Sequence, residues 1–303
     1  MGERDNFLQE VTKMCNEAKE LPDDKLLFTY NGLLYPTIMC RPATFQALKS
    51  FEAREDDLLV VTYPKCGSNW TLQLLGHMVK CVYNKEIQPT SQRRIEFGAP
   101  DKFQKLKEES SPRILSTHLL YDNIPKTFFA KKVKILMVSR NPKDTAVSLF
   151  HFYNNNPVLP KCSSWDTFFQ DFMTGKVIWG SYFDHALEWN KHIDDERILI
   201  VTFEEMKKDL EAAVKKISNF YGFNLTEEQI QQITEKGTFK SMKEKSKETH
   251  GEIGNIFFRK GDVGDWKNHF SEAQSQEVDA KFEECLAGTK LGEKLNYNAY
   301  CKM

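Results

Sequence analysis

At 303 residues, 40% hydrophobic and 12% aromatic, the chain can bury one sizeable α/β core or two modest ones. A formal net charge of −1 argues against a broad basic face for nucleic acid or a membrane surface, and no apolar run approaches the ~20 residues of a membrane span. Seven scattered cysteines, with no zinc-ligand spacing and no apolar leader behind Met1-Gly2-Glu3, fit reduced thiols in a cytoplasmic protein with no metal.

Residues 1–20 place Phe7, Val11 and Met14 on one side of an amphipathic helix, an extension of one domain spanning 1–303. Residues 26–51 are apolar without periodicity and read as an irregular pocket wall. Leu58, Leu59, Val60 and Val61 form the continuous aliphatic run of a strand buried on both faces. Leu74, Leu75, Met78, Val79 and Val82 then make one helical stripe. Between the two, Lys65, Cys66, Gly67, Ser68, Asn69 and Trp70 form a tight strand-to-helix turn.

Such a turn presents backbone N–H groups at a helix N-terminus, where the dipole favours an anion. Gly67 lets backbone approach a ligand closely, and Lys65 adds a point charge. Taken alone, a lysine–glycine turn is about as readily a plain connection as a phosphate site. It is not the nucleoside-triphosphate loop, whose lysine follows its glycine and precedes a magnesium-binding hydroxyl. Trp70 shifts the balance, because an indole beside a phosphate cradle can stack on a base.

Further along, the polar, proline-containing residues 84–112 read as a long loop. A short strand over 114–116 ends at Thr117-His118, and a stronger one over 133–138 leads into Arg140. Asn141 as N-cap, Pro142 at the first helical position and Asp144 in the first turn signal a helix. A strand over 198–201 precedes a helix with Met206, Leu210, Val214, Ile217 and Tyr221 on one face, and Thr226–Gln229 is a capping box. The alternation predicts an α/β fold with a central parallel sheet flanked by helices. Ligands of such sheets sit at the carboxyl ends of the strands, where Lys65, His118 and Arg140 fall.

Three motifs carry a resemblance. Thr62-Tyr63-Pro64-Lys65-Cys66-Gly67-Ser68-Asn69-Trp70 is similar to TYPKSGTTW, Arg140-Asn141-Pro142-Lys143-Asp144-Thr145-Ala146-Val147-Ser148 to RNAKDVAVS, and the run from Arg259 to Phe270 to RKGxxGDWKxxF. They resemble the cytosolic sulfotransferases that use 3′-phosphoadenosine-5′-phosphosulfate (PAPS). Pro64–Trp70 and Thr249-His250-Gly251 look closest to the 6B branch. The resemblance implies a P-loop-like phosphosulfate-binding turn, in-line sulfonate transfer to a hydroxyl or amine of a small hydrophobic acceptor, and release of the bisphosphate PAP. Thyroid-hormone-like phenols are among the acceptors it suggests.

By that resemblance Lys65 meets the bridging and leaving-group oxygens and His118 takes the acceptor's proton. Arg140, Ser148, Arg259, Lys260 and Gly261 hold the 3′-phosphate, while Trp70 and Phe239, next to Thr238, sandwich adenine. Three departures bear on rate: Cys66 for a serine, Ser116 for a lysine before Thr-His, and Phe203 for a nucleotide-contacting tyrosine. The family's homodimer motif is degraded to Lys267, Ser271-Glu272 and Gln276. Lysines and glycines over 239–264, among them Lys240, Lys243, Lys245 and Lys247, suggest a lid. A nucleotide kinase and a cofactor-binding member with weak or lost transfer are the competing readings.

Overall fold

The computed structural model describes residues 3–87, 93–244, 254–257 and 259–302. The expectations on Lys245, Lys247 and Thr249-His250-Gly251 lie outside them, as do the side chains of Phe7 and Val11. Helix α1 (Glu3–Lys19) bears out the N-terminal helix. The stretch expected to be irregular is instead a hairpin, β1 (Leu27–Tyr30) and β2 (Leu33–Pro36), followed by α2 (Pro42–Leu48). Asn31 and Gly32 both have positive φ, 48° and 80°, so an Asn-Gly pair makes the turn.

The sheet is built from β3 (Leu58–Thr62), β4 (Ile114–Thr117), β5 (Lys134–Ser139) and β6 (Ile198–Thr202), all parallel, in the order β4-β3-β5-β6. Side chains alternate between two cores. Leu59, Val61, Leu115, Ile135 and Met137 enter one; Leu58, Val60, Ile114, Leu136 and Val138 enter the other. This is why the strands read as unbroken apolar runs. From β3 the chain steps to β4 on one side and then to β5 on the other. The order therefore reverses beside β3, the place where open α/β sheets bind ligands.

Helix α3 (Ser68–Tyr83) follows β3. Within the expected loop 84–112 lies α4 (Lys102–Glu108), and α5 (Lys126–Ala130) precedes β5. Then come α6 (Pro142–Asn155), α7 (Trp165–Met173) and α8 (Tyr182–Asn190). The single helix expected after β6 is two, α9 (Phe203–Lys208) and α10 (Leu210–Tyr221), because Asp209 leaves the helical region and caps the second by accepting from Ala212 N. Helix α11 (Glu227–Lys236) opens on the expected capping box, and α12 (Phe239–Glu244) follows. Three helices end the chain, at Glu272–Cys285, Lys290–Leu295 and Tyr297–Cys301. They are fastened to α6 by the buried Lys143, whose Nζ meets Ser275 Oγ at 2.6 Å, the Cys301 carbonyl at 2.7 Å and Asp279 at 2.7 Å. Among the described residues, no helix is long and apolar enough to cross a membrane.

Candidate active site

The sheet sets three sequence-predicted residues side by side, at the ends of β4, β3 and β5: His118, Lys65 and Arg140. The β3–α3 turn is tight because Lys65 (φ 70°) and Gly67 (φ 106°) are both left-handed. At Gly67 a Cβ would meet the Phe203 ring at 3.3 Å, so the missing side chain lets that ring support the turn. Lys65 Nζ lies 4.2 Å from the centre of the Phe152 ring. Burial, then Arg140, Arg259 and Arg94, pull the Lys65 amine down to about 7. An anion is what this lysine lacks.

Ser68 Oγ, on the first turn of α3, is 2.9 Å from Thr62 Oγ1, and Asn69 is half-buried beside it. Cys66 points the other way. Its thiol is wholly buried, 3.7 Å from Thr145 Oγ1, and burial pushes it up to about 12. The expectation that a lost hydroxyl at Cys66 weakens the transfer step is therefore corrected: this side chain faces the core. Trp70 is also largely buried, with Nε1 donating to the Gly237 carbonyl at 2.8 Å and its ring edge-on to Phe203 at 5.2 Å.

His118 is fixed at every polar atom. Nδ1 lies 2.7 Å from the Thr62 carbonyl, which can only accept, so Nδ1 carries the ring proton. Its backbone N–H donates to Glu96 Oε1 at 2.9 Å, and its ring stands edge-on to Trp179 at 4.9 Å. Nε2 takes a hydrogen bond from Arg94. Burial, then Arg94, hold the imidazole well below its usual range, so it is neutral and has the lone pair of a base. Around Trp179 an aromatic wall forms from Tyr35, Phe45 and Phe97.

On the other side Arg140 ties the motifs together. One Nη donates to the Lys65 carbonyl at 3.3 Å and the other to the Asp262 carbonyl at 2.9 Å, with the guanidinium 4.3 Å over the Phe203 ring. Its Nε is buried without a hydrogen-bond partner. Asp144 accepts from Gly264 N at 2.7 Å and Trp266 N at 3.0 Å, so the third motif docks on the start of α6. Arg259 pairs with Asp265 at 2.5 Å, and Lys260 pairs with the same carboxylate. Ser148 is half-buried two turns into α6. Thr238 caps α12 through Ser241 N at 3.3 Å.

Phe239 and Gly261, far apart in sequence, are in contact. A Cβ at Gly261 would lie 2.0 Å from the Phe239 ring, and Gly261 has φ 67°. Gly261→Ala should displace that ring and weaken PAP about tenfold, an effect of ~1–2 kcal/mol for strained backbone; calorimetric titration checks it, and unchanged affinity would detach Phe239 from the nucleotide.

Arg94, Glu96, Asp144 and Glu204 were not singled out by sequence. Glu204 holds Asn141, accepting from its N–H at 3.0 Å and from Nδ2 at 2.7 Å. His151, Asp265 and His269 bring ligand atoms within 4.8 Å of one another. The Asp265 carboxylate already takes Arg259, Lys260 and Asn268, which leaves little charge for a cation.

Residues 55–290 match the sulfotransferase domain family. The chain is 49% identical to mouse Sulfotransferase 6B1 over 99% of both chains, and 49% identical to human Sulfotransferase 6B1 over the whole of each. A mouse sulfotransferase solved in complex with PAP superposes with a TM-score of 0.84 at 35% identity, covering 91% of this chain and 99% of that one.

Proposed function

Since the chain belongs to the sulfotransferase family and is a PAPS-dependent sulfotransferase, we propose that His118, Lys65 and Arg140 form its reacting centre, acting on a hydroxyl or amine of a small hydrophobic acceptor. The observation that carries this reading is the His118 tautomer, whose Nε2 lone pair faces the aromatic wall side of the sheet end while Nδ1–H is held by Thr62. The residues present fit PAPS: a positive-φ turn opens α3, Lys65, Arg140, Arg259 and Lys260 supply cations, and Arg140 Nε is buried without a hydrogen-bond partner.

When bound, PAPS supplies a sulfonate that passes to the acceptor while the anhydride's electron pair leaves on the 5′-phosphate. Lys65 and the turn N–H groups face the leaving side, where fixed positive charge stabilises what develops in the transition state. His118 Nε2 receives the acceptor's proton. Arg140, Ser148, Arg259, Lys260 and Gly261 hold the 3′-phosphate. Trp70 and Phe239, with Thr238, border the adenine, and Phe203 backs Arg140 and the turn. The aromatic wall suits a flat apolar acceptor, with thyroid-hormone-like phenols as one class.

A transfer assay with labelled PAPS across phenols, alcohols and amines tests the acceptor class. PAP should raise thermal stability by mass action, and ATP with magnesium much less. Equal stabilisation by ATP would favour a kinase, and PAP binding without transfer to any acceptor would favour a binding protein.

Lys65 adds a pH dependence. An anion beside it raises its ionisation above the value of about 7 in the free protein. The protonated form then binds better, so PAP affinity should fall as pH rises above 7, with proton uptake on binding. Calorimetry in buffers of different ionisation enthalpy reads that uptake, and none at pH 8 would mean Lys65 does not face the phosphate.

A further inference from the structure

We propose that Arg94 is a positioning residue for the transfer step: its guanidinium holds the His118 Nε2 lone pair until an acceptor hydroxyl replaces it, then stays alongside as a cation. The proposal rests on His118 being the base. Two hydrogen bonds fix the ring. The Thr62 carbonyl at 2.7 Å requires a proton on Nδ1, and Arg94 Nη1, which can only donate, requires a bare Nε2.

Arg94 is brought there by backbone. It bridges to Ser116 beside β4, with Ile95 N donating to the Ser116 carbonyl at 2.9 Å. Lys102 Nζ donates to the Arg94 carbonyl at 2.7 Å, and the guanidinium lies 5.0 Å from the Phe97 ring centre. A cation thus stands at the end of β4 although Ser116 itself carries none. The charged and titratable groups facing His118 are Arg94, Lys65, His185 and, through its own backbone N–H, Glu96. His185 is buried and held down to about 3, so Arg94 and Lys65 are the nearby cations opposing a charged ring.

The chemistry requires Arg94 to move. As the acceptor's O–H bond breaks, its proton passes to Nε2; the oxygen bonds sulfur, and the S–O bond to the 5′-phosphate breaks with its electron pair leaving on the phosphate. An Nε2–H and an Arg94 N–H cannot share one line. The guanidinium must turn aside, and negative sulfonate oxygens are its nearest compensation.

Arg94→Gln and His118→Ala test this together. In the ligand-free Arg94→Gln protein, the His118 ring should ionise about one unit higher by NMR, since a neighbouring cation is gone. The acid limb of kcat/KM should move up by the same amount, because a base is lost as pH falls through its pKa. At the plateau kcat should fall roughly tenfold or more with KM for PAPS little changed. If His118→Ala is inactive while Arg94→Gln leaves ring ionisation and acid limb unmoved, this proposal falls and the base reading stands. If His118→Ala keeps most of its turnover, the base reading falls and Arg94's transfer role with it. Ring ¹⁵N shifts of the wild-type protein give a measurement independent of any variant: an Nδ1–H tautomer at neutral pH supports the proposal, and an Nε2–H tautomer or a charged ring overturns it.

Discussion

His118→Ala should lower turnover about 10²–10⁴-fold, the usual worth of a positioned general base, and leave PAP binding within a few-fold of wild type. The two readouts separate because His118 hangs from β4 and Thr62, whereas the proposed phosphate ligands come from the β3–α3 turn, the start of α6 and the 259–264 segment. Loss of the ring also frees Arg94, so stability needs its own control. Thermal shift with PAP gives it: a folded variant that PAP stabilises but that does not transfer is the expected result. Turnover near wild type would require another base.

Lys65→Met should be worse for catalysis and better for folding. Removing one preorganised positive donor typically costs 10²–10³-fold in kcat, and PAP should bind more weakly as well. The ligand-free protein should melt higher. Burial lowers the Lys65 pKa to about 7 in the folded protein, against 10.5 when exposed. Between those values the unfolded chain binds more protons than the folded one, so Lys65 makes the wild type gain stability as pH rises from 7 toward 10. Methionine has no charge to desolvate and should flatten that rise. A lower melting temperature for Lys65→Met at pH 7 would mean the lysine is paired rather than strained.

How far the sequence reached depends on the range of the interaction. The four sheet strands were legible to within one residue, because strands buried on both faces must be apolar throughout. Asn141, Thr226 and Pro142 marked helix starts, since capping is local chemistry. The β1–β2 hairpin was missed although Asn31-Gly32 signals it, because its strands are only half-buried and show no clean alternation. Aromatic-rich α7 and α8 were passed over between better-signalled elements, despite Ser164 and Ser181 as caps.

In the site, Lys65, His118 and Arg140 were found because each directly follows a strand. Arg94 was hidden in a polar stretch, and nothing local says that it reaches across to His118, 24 residues on. Asp144 looked like a dipole-compensating acid, yet its carboxylate docks Gly264 and Trp266. Cys66 shows the converse error: a motif position was read as facing the ligand, when backbone curvature at Lys65 and Gly67 turns its thiol inward.

The Lys143 anchor has a consequence for synthesis. This ammonium sits wholly buried beside Arg140's helix start, and its partners are Ser275, Asp279 and the carbonyl of Cys301. A ribosome delivers Lys143 long before it delivers Cys301. Until then the nascent chain must keep a bare charge in water or bury it unpaired, which costs several kcal/mol. The start of α6 therefore cannot settle while the chain is still tethered, and the half-made protein should remain open to chaperones. A stop codon a few residues early would leave the same lysine without its last acceptor, so loss of a short tail should read out as loss of the whole nucleotide side.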